Sequence, residues 1–94
     1  MSHSYYIISD EDTMPQTTNY SVSSHGEIPV YQQIENQIVF AIASKQYSSG
    51  DVLPSVREMA AATGVNANTV TKAYRDLELL GFVVTRRGVG VHVA

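Results

Sequence analysis

The sequence has no cysteine, only three prolines and no long uninterrupted apolar run. Without cysteine, disulfides and thiolate metal sites are excluded. No apolar stretch approaches the roughly 20 residues that cross a bilayer, and the N-terminus lacks the basic start and apolar stretch of a secretory signal. The sequence therefore predicts a soluble, cytoplasmic protein without membrane contact.

Residues that carry enzyme chemistry are scarce. His3, His25 and His92 lie far apart along the chain and match no metal-ligand or catalytic-triad spacing. The GVG fragment near the C-terminus lacks the context of a phosphate-binding loop. We therefore expect a protein that is not an enzyme, with no catalytic residue, metal site or cofactor.

Charge is unevenly distributed along the 94 residues. The net charge of −3 arises in residues 1–27, which hold four acids and neither lysine nor arginine. Residues 28–94 hold all six cations against five acids, a net charge of +1. We therefore divide the chain into an acidic N-terminal leader, residues 1–26, with a candidate short strand near 19–23, and one folded domain, residues 27–94.

A helical period of apolar residues begins after Pro29, which suits the first turn of a helix. The apolar positions on one helical face are Tyr31, Ile34, Ile38 and Ile42. The pattern predicts a first helix that runs to about Lys45. The SSGD stretch then closes it, with Gly50 able to take a positive φ.

Two further helical patterns meet at Gly64. Ser55 and Glu58 form a capping-box sequence that begins the first of them. Asn66 is a good cap for the second, which Gly81 ends. The apolar stripe of that third helix comprises Val70, Ala73, Tyr74, Leu77 and Leu80.

The last residues, FVVTRRGVGVHVA, form two β-rich runs around a turn that contains Gly88 or Gly90. Helix, helix, tight turn, helix and hairpin follow one another in that order. The predicted fold is mainly α with a small β-wing: a winged helix-turn-helix of three helices followed by a β-hairpin.

The face of the third helix opposite its apolar stripe carries amides, hydroxyls and cations. In a helix-turn-helix, the second helix of the pair enters the major groove by its N-terminal residues. Asn68 can pair with adenine N6 and N7, and Thr71 can contact a thymine. Lys72 and Arg75 lie one turn deeper, where phosphate contact is expected. This face predicts DNA binding, although a solvated surface face is the simpler interpretation of each residue alone.

Further cations flank this face. Arg57 lies near the start of the second helix, where the helix pair would straddle the DNA backbone. Arg86 and Arg87 precede Gly88 at the hairpin tip and suit a narrow minor groove or its flanking phosphates. The alternatives are an ion pair of Arg57 with a nearby acid and an ordinary solvated turn at the tip.

From residue 27 onward the sequence resembles the DNA-binding domain of the GntR family of bacterial transcription regulators. The segments that carry the resemblance are IPVYQQI, SSGDVLPSVREMA, GVNANTVTKAYRDLELLGF and RRGVGVHVA. They are most similar to the YtrA-type and MocR-type branches. The resemblance implies a dimeric winged helix-turn-helix regulator, a repressor in preference to an activator, that binds a two-fold symmetric operator.

The resemblance also implies roles for individual residues. The DNA contacts that it assigns are Arg57, Asn68, Thr69, Thr71, Lys72, Arg87 and Gly88. Many family members have arginine where this chain has Ala67 and Thr71, so we expect a different base preference. The family's C-terminal part, which binds the effector or completes the dimer, is aminotransferase-like with pyridoxal phosphate in MocR proteins. These 94 residues do not include it, so we expect no small-molecule effector site and no cofactor here.

A homodimer is expected, with its interface on the first helix, the acidic leader or the wing, and the first helix offers specific candidates. Phe40 projects nearly opposite the apolar stripe, and Tyr47 would lie on the same side if the helix extended that far. An exposed apolar residue at this position indicates contact with a second copy or with the leader. Phe40 and Tyr47 are therefore the candidate interface residues.

An alternative function and the role of the leader stay open. The alternative is a winged-helix protein-interaction module without DNA binding, whose acidic leader docks onto a basic partner. The low net charge of residues 28–94 favours it, because few phosphate contacts give weak DNA binding at physiological salt. The leader itself is a solubilising tail, an arm that adds a strand to a partner, or a segment whose DED run competes with phosphate.

Overall fold

The computed structural model describes residues 20–94, which fold as three helices followed by an antiparallel hairpin. The helices are α1 (Val30–Ala43), α2 (Val56–Thr63) and α3 (Ala67–Leu79), and the strands are β1 (Val83–Arg86) and β2 (Gly90–Val93). This order confirms the predicted winged helix-turn-helix. Most of the acidic leader, including its DED run, lies outside the described residues.

Helix α1 ends earlier than the sequence predicts. Its last helical residue is Ala43, and Lys45 takes a left-handed conformation with φ of 70°. Gln46 N donates to Ala41 O over 2.8 Å, the long bond of a Schellman motif that terminates the helix. The chain turns back at this point and directs Tyr47 into the core, where it is 7% exposed.

The α2–turn–α3 unit has the caps that the sequence predicts. Ser55 Oγ accepts from Glu58 N over 3.0 Å and the Glu58 carboxylate accepts from Ser55 N over 2.9 Å, which confirms the capping box. Gly64 ends α2 with φ of 73°, a conformation that strains any residue with a Cβ atom. The side chain of Asn66 caps α3 by accepting from Asn68 N over 2.7 Å.

The wing is a hairpin whose strands pair in register along their length. Gly88 has φ of 81°, and Val89 N donates to Arg86 O over 3.1 Å, which is the geometry of a type II turn. Arg86 is therefore the last residue of β1, while Arg87 and Gly88 form the tip. The segment before α2 adds one antiparallel bridge to β2 at Val52.

Helix α3 packs against α1, α2 and β1. Its buried residues are Val70, Ala73, Tyr74 and Leu77. The Tyr74 hydroxyl donates to Pro54 O over 2.7 Å and joins α3 to the segment before α2. The prediction that Leu80 extends the buried stripe is wrong: it follows the last helical residue, Leu79, and is 69% exposed.

Two glutamine side chains of α1 hold the N-terminal segment by its backbone. Gln37 accepts from Ser21 N over 3.2 Å and donates to Ser21 O over 2.6 Å. Gln33 accepts from Ser23 N and donates to Ser23 O, both over 2.8 Å. We call Gln33 and Gln37 the glutamine clasp. The strand expected near 19–23 does not form over its described part, residues 20–23, where the clasp occupies the backbone groups instead.

The clasp leads into a buried pair of tyrosines. Tyr20 is 7% exposed, and its hydroxyl lies 2.6 Å from that of Tyr47. Burial, followed by this hydrogen bond, raises the pKa of Tyr20 well above its ordinary value. Tyr20, ahead of the first helix, is therefore part of the core.

Candidate nucleic-acid interface

The first turn of α3 exposes the side chain of Asn68. The backbone N–H of Asn68 is already satisfied by the Asn66 side chain. The carboxamide of Asn68 has no hydrogen-bond partner within residues 20–94 and is exposed to solvent. A free amide presents one donor and one acceptor side by side, which is the pattern that pairs with the major-groove edge of adenine.

Arg75 lies two turns after Asn68 on the same face of α3 and is exposed. Thr71 is half-buried at the border between this face and the core. Leu79 continues the face beyond Arg75 and is 80% exposed. The structure thus brings Asn68 and Arg75 together on one side of α3, with Thr71 at its edge.

Thr69 lies on another side of the helix. Successive residues of an α-helix diverge by about 100°, so Thr69 is turned away from the face of Asn68. It is half-buried and lines an open cleft of about 360 Å³. Val22 and Ser24 of the N-terminal segment line the same cleft, together with the turn between α2 and α3.

Lys72 is engaged by neighbouring side chains. Its Nζ lies 3.3 Å from Asp76 Oδ2, one turn further along α3. The same ammonium group lies 4.5 Å from the ring centroid of Tyr31 on α1, within the range of a cation–π interaction. Among the cations of residues 20–94, Lys72 alone forms an ion pair with another residue of that range.

Glu35 of α1 adds a second carboxyl group next to Asp76. Burial, followed by the hydrogen bond with Asp76 and its charge, raises the pKa of Glu35 to about 7. The same hydrogen bond holds the pKa of Asp76 below its ordinary value, and Lys72 acts in the same direction. Glu35 Oε2 is buried, and no donor within residues 20–94 reaches it. A proton held on Glu35 and donated to the Asp76 carboxylate accounts for these observations. We call Tyr31, Glu35, Lys72 and Asp76 the α1–α3 cluster.

The other predicted DNA-contact cations are exposed, as Lys72 is, but differ from it in their contacts. Arg57 is the second residue of α2, and Arg86 and Arg87 lie at the end of β1 and in the wing turn. None of the three forms an ion pair with a residue of the described part of the chain. Their guanidinium groups are therefore available to phosphate.

Several acids of the folded part serve local structure. Asp51 accepts from Ser48 N over 2.8 Å. Glu58 completes the capping box of α2. Glu78 accepts from Thr85 N over 3.3 Å and so connects the end of α3 to the wing. These carboxylates contribute to the fold and do not neutralise the exposed arginines.

Phe40 and Tyr47 do not share a surface. Phe40 is 65% exposed, whereas Tyr47 is buried beside Tyr20. The prediction that Tyr47 belongs to an exposed dimer interface is therefore wrong. Its cause is the early end of α1, which turns the chain inward before Tyr47.

Sequence reasoning missed the partners of Lys72 and the glutamine clasp. The spacing of Lys72 and Asp76, four residues apart on one helix, was a visible signal for an ion pair. Tyr31 and Glu35 are separated from Lys72 by two turns and a helix, and no local pattern indicates their contact. Within residues 20–94, no helix is long and apolar enough to cross a membrane, and no cluster of three potential metal ligands occurs.

Comparison with known sequences gives a consistent result. Residues 30–93 match the family described as bacterial regulatory proteins, gntR family. The uncharacterized HTH-type transcriptional regulator YhcF of Bacillus subtilis is 50% identical over 66 residues, covering 70% of this chain and 54% of YhcF. The HTH-type transcriptional repressor YtrA of the same organism is 38% identical over 73 residues, covering 78% of this chain and 56% of YtrA. The chain spans about half the length of these relatives.

Solved structures share the fold. YtrA from Sulfolobus acidocaldarius, a GntR-family transcription factor, superimposes with a TM-score of 0.73 at 40% identity, covering 77% of this chain and 76% of that one. AraR(DBD) in complex with operator ORX1 superimposes with a TM-score of 0.73 at 25% identity, covering 80% of this chain and 95% of the AraR(DBD) chain. Both similarities extend over most of the described residues.

Proposed function

The chain belongs to the gntR family of bacterial regulatory proteins, and from that premise we propose that it is a sequence-specific DNA-binding regulator of transcription. The observation that carries the proposal is the exposed face of α3. Asn68 and Arg75 have no partner on that face within residues 20–94, while the opposite side of the helix is anchored by buried apolar residues. A rigid helix with such a face suits the major groove of DNA.

The residues of α3 take different roles in this proposal. Asn68, in the first turn, pairs with the edge of a base, adenine being the best match for its carboxamide. Thr71 contacts a thymine at the border of the face. Arg75 binds phosphate at the groove wall. Thr69 supports the first turn from the cleft side, and Lys72 is considered below.

The wing and the start of α2 supply phosphate contacts. Arg86 and Arg87 bind in or beside the minor groove, where the negative potential is strongest if the groove is narrow. Gly88 lets the backbone of the tip approach the sugar–phosphate chain closely, since it has no side chain. Arg57 binds a phosphate on the other side of α3. Because the folded part has a net charge of only +1, affinity is expected to depend on these few contacts and to fall with salt.

We extend the proposal to a repressor that acts as a homodimer on a two-fold symmetric operator in the bacterial cytoplasm. The name of the B. subtilis relative YtrA, a transcriptional repressor, supports the first part. Helix-turn-helix proteins commonly bind two half-sites about one helical turn apart, which supports the homodimer on a two-fold symmetric operator. Exposed Phe40 on α1 is the candidate contact between copies. Phe40→Glu should then lower the mass measured by light scattering, and an unchanged mass would remove Phe40 from the interface.

Selection of bound duplexes from a random pool, followed by fluorescence anisotropy on the selected duplex, tests the function. Asn68→Ala should lose about 1–3 kcal/mol of discrimination at one base position per half-site. Arg87→Ala should weaken binding to all duplexes alike and reduce the slope of log affinity against log salt by about 0.9. Asn36→Ala removes an exposed carboxamide from α1 and serves as the matched control, with no change expected.

Two outcomes would contradict the proposal. One is a folded Asn68→Ala/Arg87→Ala double variant that binds the selected duplex as tightly and selectively as the parent. The other is a parent protein that shifts no duplex even at low salt. The second outcome would favour the protein-interaction module, which the low positive charge of the folded part supports.

A further inference from the structure

We propose that Lys72 is a positioning residue that joins α3 to α1, and that Asp76 holds it back from the DNA that α3 reads. The inference rests on the proposed function and changes one part of it. Sequence pattern and family resemblance both place Lys72 among the DNA contacts, yet its charged end contacts side chains of the protein.

The contacts of Lys72 span two helices. Asp76 Oδ2, on α3 itself, lies 3.3 Å from Lys72 Nζ, and the Tyr31 ring on α1 lies 4.5 Å away. The ammonium group is therefore placed between an anion and an aromatic face, both of which attract it. Because Tyr31 belongs to α1, the side chain of Lys72 connects the two helices at the surface.

Lys72 differs in this respect from every other cation in the described part of the chain. Arg57, Arg75, Arg86 and Arg87 have no ion-pair partner there. Lys72 lies one turn after Asn68 on the same side of α3, so a released side chain would extend beside the proposed base-reading residue. The protein thus leaves its arginines free and engages the one lysine that borders the reading face.

The second acid of the α1–α3 cluster strengthens this arrangement. Glu35 faces Asp76 across the α1–α3 interface, and its Oε2 is buried without a donor among the described residues. The two carboxyl groups together place at least one negative charge beside Lys72. Replacing Asp76 by asparagine removes the negative charge that Lys72 contacts directly, keeps the shape of the side chain, and leaves Glu35 partly buried behind it.

A release of Lys72 has a measurable consequence for DNA binding. A freed ammonium group beside Asn68 gains access to a phosphate, and each added phosphate contact steepens the slope of log affinity against log salt by about 0.9. Asp76→Asn is therefore expected to bind the selected duplex severalfold more tightly at low salt and with a steeper slope. Adding Lys72→Met to Asp76→Asn should return the slope to that of the parent.

The control is Glu78→Gln, which removes the same charge from α3 at a residue that contacts the wing. Any general gain from lower negative charge appears in both single variants, and only Asp76→Asn should steepen the slope by the extra contact. Equal slopes for Asp76→Asn and Glu78→Gln would overturn the claim that Lys72 is held back from DNA.

A measurement without DNA separates this inference from the proposed function. The Tyr31 ring should shift the ε-methylene protons of Lys72 upfield in the NMR spectrum of the parent, and Asp76→Asn should reduce that shift. The absence of an upfield shift in the parent would refute the α1–α3 link directly. If the shift is present but the parent binds no duplex, the proposed function and the DNA part of the inference fail while the link between helices stands.

Discussion

Replacing Glu35 by glutamine is expected to stabilise the protein at pH 8 and to leave its stability near pH 4.5 almost unchanged. The pKa of Glu35 is about 7 in the folded chain against an ordinary value of 4.5. Folding therefore favours the protonated carboxyl group. Its contribution to stability is complete below pH 4.5 and is lost as the pH rises through 7. The amide of Glu35→Gln carries no charge and can donate to Asp76 at every pH.

The size of the effect follows from the same pKa values. The difference between 4.5 and about 7 corresponds to roughly 3.4 kcal/mol, at about 1.36 kcal/mol per pH unit. Only part of it should appear, because Glu35 is half-buried and donates its proton to Asp76 in a hydrogen bond. The lowered pKa of Asp76 acts oppositely, since its contribution is present above pH 3.8 and is lost as the pH falls. We expect a gain of about 1–2 kcal/mol at pH 8, or roughly 5–10 °C in Tm.

Thermal unfolding followed by circular dichroism at pH 5, 6, 7 and 8 measures this difference. The gain of Glu35→Gln over the parent should grow with pH and level off above pH 7. Glu27→Gln, which removes an exposed carboxylate just before α1, is the control and should show no such growth. A variant that is less stable than the parent at pH 8, or whose gain is equal at all four values, would refute the hydrogen bond from protonated Glu35 to Asp76.

Three further predictions concern the fold. Lys45→Gly should raise the free energy of unfolding by about 0.5–1 kcal/mol in urea titrations, since glycine adopts the observed φ of 70° without strain; a loss of stability would argue against the Schellman turn. Tyr74→Phe should lower the free energy of unfolding by about 1–2 kcal/mol, because the buried carbonyl of Pro54 loses its donor. An unchanged midpoint of the urea titration would show that water replaces the hydroxyl. Gln37→Leu should accelerate amide exchange at Ser21 about tenfold, whereas the exposed Gln32→Leu should not, and equal rates would exclude the clasp.

The parts of the fold that follow from local chemistry were predictable. The capping box at Ser55 and the cap at Asn66 each depend on residues within one turn, and the structure confirms both. The break between the two helical patterns at Gly64 is confirmed as the end of α2. The hairpin with a glycine at its turn has the same local origin. In each case a short polar or glycine residue satisfies or redirects the backbone in one specific way.

The parts of the fold that depend on contacts between residues distant in sequence were not predictable. The end of α1 was misplaced because Lys45, which has no intrinsic preference for positive φ, adopts it once Tyr47 can bury its ring. That single turn decides whether Tyr47 is an interface residue or a core residue. For Lys72, helical spacing placed the residue beside Asn68 and signalled the ion pair with Asp76, but it could not reveal the contact with Tyr31 on another helix.

The glutamine clasp recognises main chain rather than side chains. Ser21 and Ser23 contribute only their amide and carbonyl groups, so substitutions there would leave the bonds intact as long as the new residues are not proline. Sequence similarity can therefore fade at these positions while the shape persists, and the family match indeed starts only at residue 30. A fragment trimmed to that match would lose Tyr20 and leave Tyr47 without its hydrogen-bond partner and part of its cover, so experiments on the isolated domain should start upstream of Tyr20.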